Sequence, residues 1–339
     1  MAATGSKTSR NSALDFTKGA LVLTMVLYHW TNYFDVYLDK RYLRFLTPSF
    51  IFITGFLVSN IYLSKYGSSD PQLPKRLIER GLKILGVFFV LNVSRIFVVR
   101  ETLQSGGALA RSPFQSLVDI YILGSGVGGG QAKAVAFFVL LPIGYLLILS
   151  ALLLVACRFY RHAFYAMCII CLLSIIGLSH FEIQSPNLEL VTIGLFGVIT
   201  GYLPIDKVNA FVRHPYILAF AYCLYLGAIT LWDVIYPLQI VGVYLSLMII
   251  YLVGLKDGQP GYARSVVILL GKYSLFGYIV QIAILQILRM GLIHLESEIA
   301  ILILSFVLAF ALTIVSVELL NRTRAGSTTV DRLYKAVFA

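Results

Sequence analysis

The first long apolar run of the sequence carries three ionisable residues at helical spacing: Asp15, Lys18 and His29. Lys18 and His29 are 11 residues apart, which is about three turns, so they share one face of a helix with a rise of roughly 16 Å between them. Asp15 and Lys18 stand at i, i+3 and can form an ion pair. Because imidazole exchanges a proton near neutral pH, His29 is a candidate general base. The alternative is a histidine whose hydrogen bonds are satisfied by a neighbouring helix.

A second cluster of charged residues opens the third apolar run. Arg76, Arg80 and Lys83 follow an i, i+4, i+7 pattern, so three positive charges line one face of a helix. Such a face could hold a ligand rich in phosphate. Contact with lipid headgroups, together with a role in membrane topology, explains the pattern equally well.

Polar residues elsewhere mark candidate substrate contacts. Arg95 lies near the end of the third apolar run, and Asp119 precedes the glycine-rich stretch 124–130. Flexible glycines suit a lid or acceptor-site loop, or a plain connector. Tyr278 and Gln281 are polar enough to line a cavity within the ninth apolar run, although interhelical hydrogen bonding explains them just as well.

The cysteines do not indicate a metal site. Cys168 and Cys171 form a C-x-x-C pair inside an apolar helical run. The sequence has no second pair and no histidine at ligand spacing beside them, so we expect helix packing and no bound metal.

The elements that must position these residues are transmembrane helices. The chain of 339 residues is 59% hydrophobic and 13% charged, with a mean hydropathy of +0.85, which excludes an ordinary soluble domain. A span needs about 20 mostly apolar residues. Ten runs qualify, and the sequence therefore predicts an all-α, polytopic membrane protein. The runs lie near residues 14–36, 45–66, 78–100, 132–157, 163–181, 188–205, 214–232, 235–255, 265–290 and 298–320.

The basic residues predict the orientation of these runs. With a cytoplasmic N-terminus, nineteen of the 27 lysines and arginines fall on the inner side. This bias favours cytoplasmic termini and accounts for the net charge of +11 without nucleic acid. We therefore expect a cytoplasmic segment 1–13, a transmembrane domain 14–320 and a cytoplasmic tail 321–339, in a multi-pass protein of the cell (inner) membrane.

The motifs resemble those of the membrane acyltransferase-3 family, whose members O-acylate surface or periplasmic glycans. The family's first helix typically carries R-x-x-x-L-D-x-x-(R/K)-G followed by an apolar stretch and a histidine. The matching residues here are Arg10, Leu14, Asp15, Lys18, Gly19 and His29. Further similar elements are the run 52–57 (FITGFL), the basic residues Arg76, Arg80 and Lys83, and Gly271, Ser274 and Tyr278. Lys18 stands where the family more often has arginine, and Gln281 where it often has histidine.

The resemblance implies an acyltransferase that uses a cytosolic acyl-CoA, acetyl-CoA or succinyl-CoA, and a hydroxyl acceptor on an extracytoplasmic glycan or glycolipid. In this interpretation His29, Asp15 and Lys18 are catalytic, and Arg76, Arg80 and Lys83 bind the CoA phosphates. Arg95, Asp119, Tyr278 and Gln281 contact the substrate. The partners are then acyl-CoA, the acceptor and membrane lipids, with a homodimer also allowed.

Three other functions fit the same residues. A secondary transporter or lipid-linked flippase would share the helices, the basic cluster and the intramembrane histidine, but would move its substrate unchanged. Transmembrane N-acetylation of an amino sugar would differ only in the acceptor. A structural membrane scaffold is the least favoured, since it needs no buried ionisable face.

Overall fold

The chain is helical wherever the structure describes it. The computed structural model describes residues 11–37, 39–66, 70–98, 118–124, 137–232, 234–255, 261–292 and 297–338. Every regular element within these ranges is a helix, and they contain no strand. The predicted all-α class is therefore confirmed for this part of the chain.

The α-helices of these ranges are numbered here in chain order. They are α1 (Ser12–Tyr33), α2 (Leu46–Leu57), α3 (Ser64–Tyr66), α4 (Gln72–Val98), α5 (Leu140–Ala156), α6 (Ala163–His180), α7 (Pro186–Gly201), α8 (Ile205–Val212), α9 (Pro215–Leu231), α10 (Tyr236–Gly254), α11 (Tyr262–Lys272), α12 (Ser274–Leu292), α13 (Glu298–Gly326) and α14 (Thr328–Phe338). A 3₁₀ turn covers Lys40–Leu43, and π-helical segments cover Val58–Leu63 and Val118–Leu123.

Five helices among the described residues are long and apolar enough to cross a bilayer. They are the continuous helical stretch Lys40–Leu63 and the helices α6, α10, α12 and α13. The number becomes six if α7 and α8, which meet at 100°, form one broken span. The apolar helices α5 and α9 are shorter, with 17 residues each. These are the helices of a membrane protein, while the ten spans and the cytoplasmic termini stay predictions.

The outward surfaces of α6 and α13 support a membrane setting. Leu173 and Ile176 on α6, and Ile303 and Val315 on α13, each leave more than half of their side-chain surface uncovered. Such contiguous apolar surface is costly in water and favourable against lipid. These two helices therefore have faces suited to the hydrocarbon of a bilayer.

Two of the predicted apolar runs are interrupted. The run 265–290 is two helices, α11 and α12, which meet at Tyr273, and the Tyr273 hydroxyl donates a hydrogen bond to Asn321 at 2.9 Å. The run 188–205 stops as α7 ends, just before Pro204. A residue that precedes proline is disfavoured in helical conformation, and the chain therefore turns there before α8.

The helices form two compact units. The described residues of unit 1 come from Met1–Leu43, Val212–Asp233 and Tyr244–Thr323, and those of unit 2 from Arg44–Phe211, Val234–Val243 and Arg324–Ala339. Unit 1 contains the candidate residues Asp15, Lys18, His29, Tyr278 and Gln281. Unit 2 contains Arg76, Arg80, Lys83, Arg95 and Asp119.

In unit 1, α1 and α11 touch through two glycines. A Cβ atom added to Gly19 would lie 1.8 Å from the carbonyl oxygen of Val267, and one added to Gly271 would lie 1.6 Å from that of Asp15. Neither position has space for a side chain. Small residues allow this close approach of backbones, as in other membrane helix pairs.

Beyond this crossing, α1 lies along α12 and α13. Val22 is next to Gly277, and Tyr33 accepts a hydrogen bond from Gln286 at 3.1 Å, so α1 and α12 run in the same direction. A buried apolar cluster joins the three helices. Its members are Val26, Leu285, Leu288 and Ala309.

Glycines also bring helices of unit 2 together. A Cβ atom on Gly55 of α2 would lie 2.0 Å from the carbonyl oxygen of Gly194 on α7. A Cβ atom on Gly81 of α4 would lie 2.9 Å from the carbonyl oxygen of Gly144 on α5. The pairs α2–α7 and α4–α5 make the most extensive helix contacts of this unit.

Candidate functional site

The beginning of α1 holds a buried ion pair. Asn11 caps the helix, since its side-chain oxygen accepts a hydrogen bond from the Leu14 N–H at 3.1 Å. Nζ of Lys18 is 2.7 Å from Oδ1 of Asp15, and the two side chains are 16% and 6% exposed. A carboxylate in the first turn is also favourable to the helix dipole. The predicted pairing of Asp15 with Lys18 is therefore present.

His29 lies further along α1, in the α1–α12 interface. Its ring centroid is 6.1 Å from that of Tyr278 on α12 and 5.4 Å from that of Tyr28. The Nε2 atom is sealed from solvent and has no hydrogen-bond partner among the described residues. The structure thus brings His29 and Tyr278 together, and it leaves one imidazole nitrogen available for a ligand.

Gln281 belongs to the face of α12 that is turned toward α1. Tyr278, Gln281 and Leu285 stand at i, i+3 and i+7, and the first and last of them lie against His29 and Val26. Gln281 is completely buried. Neither its Nε2 nor its Oε1 has a hydrogen-bond partner in the described part of the chain. A buried amide with no partner is uncommon in folded proteins.

Other polar side chains of this interface are already bonded to each other. Nε1 of Trp30 donates to Oγ of Ser305 at 2.9 Å, and Nε2 of Gln286 donates to the Tyr33 hydroxyl at 3.1 Å. The sequence gives no signal for Tyr33 or Ser305, and the signal for Trp30 is its position next to His29. These contacts fix the packing of α1 on α12 and α13 around the histidine.

The basic face of α4 is partly engaged within unit 2. Arg80 donates a hydrogen bond to the Tyr62 hydroxyl, and Arg76 donates to Oε1 of Gln72 at 3.0 Å. The Arg76 guanidinium also lies over the ring of Tyr66, 4.5 Å from its centroid. The Lys83 side chain is exposed. The three cations lie on one helix, as predicted, but two of them already have neutral polar partners.

Arg95 and Asp119 are the predicted substrate contacts in unit 2. Arg95 belongs to the last turns of α4, and its side chain is outside the described residues. Asp119 lies in the π-helical segment 118–123. Asn187 on α7 holds this segment, because its Nδ2 donates to the carbonyl groups of Ile120 and Tyr121, both at 3.2 Å. The predicted lid stretch 124–130 lies outside the described residues after Gly124.

Among the described residues, no group of three or more His, Cys, Asp or Glu side chains is arranged so that it could hold a metal ion.

Comparison of the chain with known protein families, with curated proteins and with solved structures returns no match. The resemblance to the acyltransferase family therefore stays a prediction from the sequence motifs.

Proposed function

We propose that this chain is a membrane-bound O-acyltransferase. It transfers an acetyl or succinyl group from cytosolic acyl-CoA to a hydroxyl of a glycan or glycolipid on the opposite side of the membrane. In this proposal the chain has ten spans, cytoplasmic termini and a multi-pass place in the cell (inner) membrane.

The observation that supports the proposal is the set of unsatisfied polar atoms at the α1–α12 interface. Nε2 of His29 and both amide atoms of Gln281 lack partners among the described residues. Each such group costs about 1–3 kcal/mol in an apolar setting. A substrate that supplies a hydroxyl and a carbonyl group would satisfy these atoms, whereas a purely structural interface gains nothing from them.

The chemistry assigned to these residues is general base catalysis. Nε2 of His29 takes the proton of the acceptor hydroxyl while that oxygen attacks the thioester carbonyl carbon. The new C–O bond forms, the C–S bond breaks, and the proton passes to the CoA sulfur. The amide N–H of Gln281 donates to the negative oxygen of the transition state. Tyr278 orients the imidazole, and Asp15 neutralises Lys18.

Donor recognition is assigned to Arg76, Arg80 and Lys83, which supply positive charge for the CoA phosphates. Guanidinium groups bind phosphate through charge-assisted, often bidentate hydrogen bonds. Arg80 would have to exchange its bond to the Tyr62 hydroxyl for one to phosphate. Arg95 and Asp119 are assigned, as the sequence predicts, to contacts with the substrate.

Acyl transfer by purified protein in liposomes tests the proposal. Wild type, His29→Ala and His29→Gln are compared with labelled acetyl-CoA and succinyl-CoA. The control is His180→Ala, because His180 is an exposed histidine at the end of α6. We expect both His29 variants to lose at least about 100-fold in turnover, the usual contribution of a general base. The control variant should keep its activity.

Folding of each variant is checked by thermal unfolding in detergent. A folded His29→Ala protein with wild-type turnover would contradict the proposal. If wild type cleaves neither thioester but moves a labelled solute unchanged across the bilayer, the chain is a transporter and not an acyltransferase.

A further inference from the structure

Unit 2 contains a large open cavity that is separate from the residues assigned above. Its volume is about 700 Å³, within the range of small-molecule sites. It lies where α5 ends, α6 begins and α7 ends. Leu154 and the buried Phe164 line it with apolar surface. The cavity thus offers an apolar floor for part of a ligand.

The opening of this cavity is strongly basic. Arg158, Arg161 and His162 line it, and all three side chains are exposed. Neither arginine has a carboxylate within ion-pair distance among the described residues. Two uncompensated guanidinium groups at one opening attract an anion.

Two neighbouring groups add to the attraction of the cavity for an anion. The N-terminus of α6 begins at the cavity, and its capping residue His162 makes no side-chain capping bond. The positive end of the helix dipole therefore points to the same place as the arginines. Tyr202, half-exposed at the end of α7, adds a phenol hydroxyl.

We propose that the cavity formed by Arg158, Arg161, His162, Phe164 and Tyr202 binds a phosphate-bearing molecule that also has an apolar part. The phosphate contacts the two guanidinium groups, and the apolar part lies on Phe164 and Leu154. Two sources supply this chemistry: the headgroup of an anionic phospholipid, or a free phosphate compound such as CoA. The site does not depend on the acyltransferase proposal, because its test measures binding and not turnover.

Binding to the full chain is measured for both sources. Phosphatidylglycerol is the lipid probe, offered against phosphatidylcholine in nanodiscs and read by native mass spectrometry. CoA is the soluble probe, read by titration calorimetry in detergent, on a chain in which Arg76→Gln/Arg80→Gln/Lys83→Gln has removed the donor-binding cations proposed above. The test variant is Arg158→Gln/Arg161→Gln. The matched control is Lys207→Gln/Arg213→Gln, which removes two charges outside the cavity lining.

We expect the test variant to lose at least about tenfold in affinity for one of the probes, because bonds to charged groups are the strong ones. The control should bind as wild type does, and added salt should weaken the wild-type interaction. Arg158→Lys/Arg161→Lys should retain part of the affinity, since it keeps the charge.

The arms of the experiment separate the sources. If the test variant loses affinity for phosphatidylglycerol alone, the cavity is a lipid site. If it loses affinity for CoA alone, the cavity binds a soluble ligand. If the test variant binds both probes as wild type does, or if the control loses as much as the test variant, the proposal is wrong.

Discussion

At the residue scale, the polar side chains where α1 contacts α12 and α13 fall into two kinds. Trp30 and Gln286 have partners at hydrogen-bond distance, whereas His29 and Gln281 have atoms without any in the described part of the chain. The first kind stabilises the packing of the helices. The second kind lowers stability, and proteins retain such groups chiefly where a ligand or a reaction needs them.

Replacement of Gln281 tests this distinction. Gln281→Leu should raise the free energy of unfolding by about 1 kcal/mol or more, because it removes a buried amide that lacks partners. It should at the same time lower acyl transfer. Gln286→Leu is the matched control on the same helix, and it should lower stability because it breaks the bond to Tyr33. Thermal unfolding in detergent measures both, and a destabilised Gln281→Leu variant would count against the assignment.

The ion pair of α1 gives a second prediction at this scale. Asp15→Asn leaves Lys18 without its carboxylate in a largely buried position, so we expect a loss of about 3 kcal/mol in stability. The double variant Asp15→Asn/Lys18→Met should recover most of that loss, since it also removes the ammonium charge from this largely buried position. Equal stability of the single and double variants would show that the Lys18 charge costs no stability once its carboxylate has been removed.

At the element scale, the crossing of α1 and α11 is the most sensitive contact of unit 1. Gly19→Ala or Gly271→Ala should cost about 3 kcal/mol or more, because the new Cβ atom would overlap a backbone carbonyl group and force the helices apart. Gly291→Ala on α12 is the control, since nothing lies within 4 Å of a Cβ atom there. Denaturation in detergent compares the three, and a neutral Gly19→Ala would refute the close approach.

A second element, α14, is held in place by the ion pairs of Asp331. Asp331 receives hydrogen bonds from Nε of Arg324 at 3.0 Å and lies 2.6 Å from Nζ of Lys335. The Arg324 guanidinium also covers the ring of Tyr334, 3.9 Å from its centroid. The hydrogen bonds from Lys335 and Arg324 hold the pKa of the Asp331 carboxyl below its ordinary value.

This shift makes the attachment of α14 sensitive to acid. Since the pKa is lower in the folded state, the stabilisation is complete above the ordinary aspartate pKa and is lost as pH falls through the lowered value. Hydrogen exchange of the α14 amides, corrected for intrinsic rates, should therefore show less protection in acid. Asp331→Asn should show reduced protection already at neutral pH, with little further change in acid. Equal protection of variant and wild type at neutral pH would contradict this account.

The sequence predicts the elements better than it predicts their interactions. Helical spacing was enough to pair Asp15 with Lys18 and to locate the apolar helices. It could not reveal that Gln281 lacks partners, since that depends on how α12 packs against α1. Helical spacing could not reveal the cavity at Arg158 and Arg161 either. The enrichment of lysine and arginine on the cytoplasmic side already explained these two charges. The break between α11 and α12 at Tyr273 was not predicted, because the sequence stays apolar through residues 265–290.

At the scale of the whole molecule, the distribution of basic residues predicts sidedness. Reporter fusions after Arg161, after Asp206 and at the C-terminus should all report the cytoplasm. Fusions after Gln184 and Trp232 should report the opposite side. An odd number of spans between the termini would place the C-terminal reporter outside, which would overturn the ten-span topology.

The composition of unit 1 has a consequence for biosynthesis. Its first helix, α1, is synthesised before unit 2, yet α11, α12 and α13, against which it packs, begin only at Tyr262. At common rates of synthesis the delay is on the order of tens of seconds. Most of unit 2 comes from one continuous stretch, Arg44–Phe211, and can assemble during that time. A nascent α1 exposes a polar face until α11, α12 and α13 have been made, so we expect the insertion machinery to hold it. Truncations that end after α10 should then be degraded even though the stretch Arg44–Phe211 is complete.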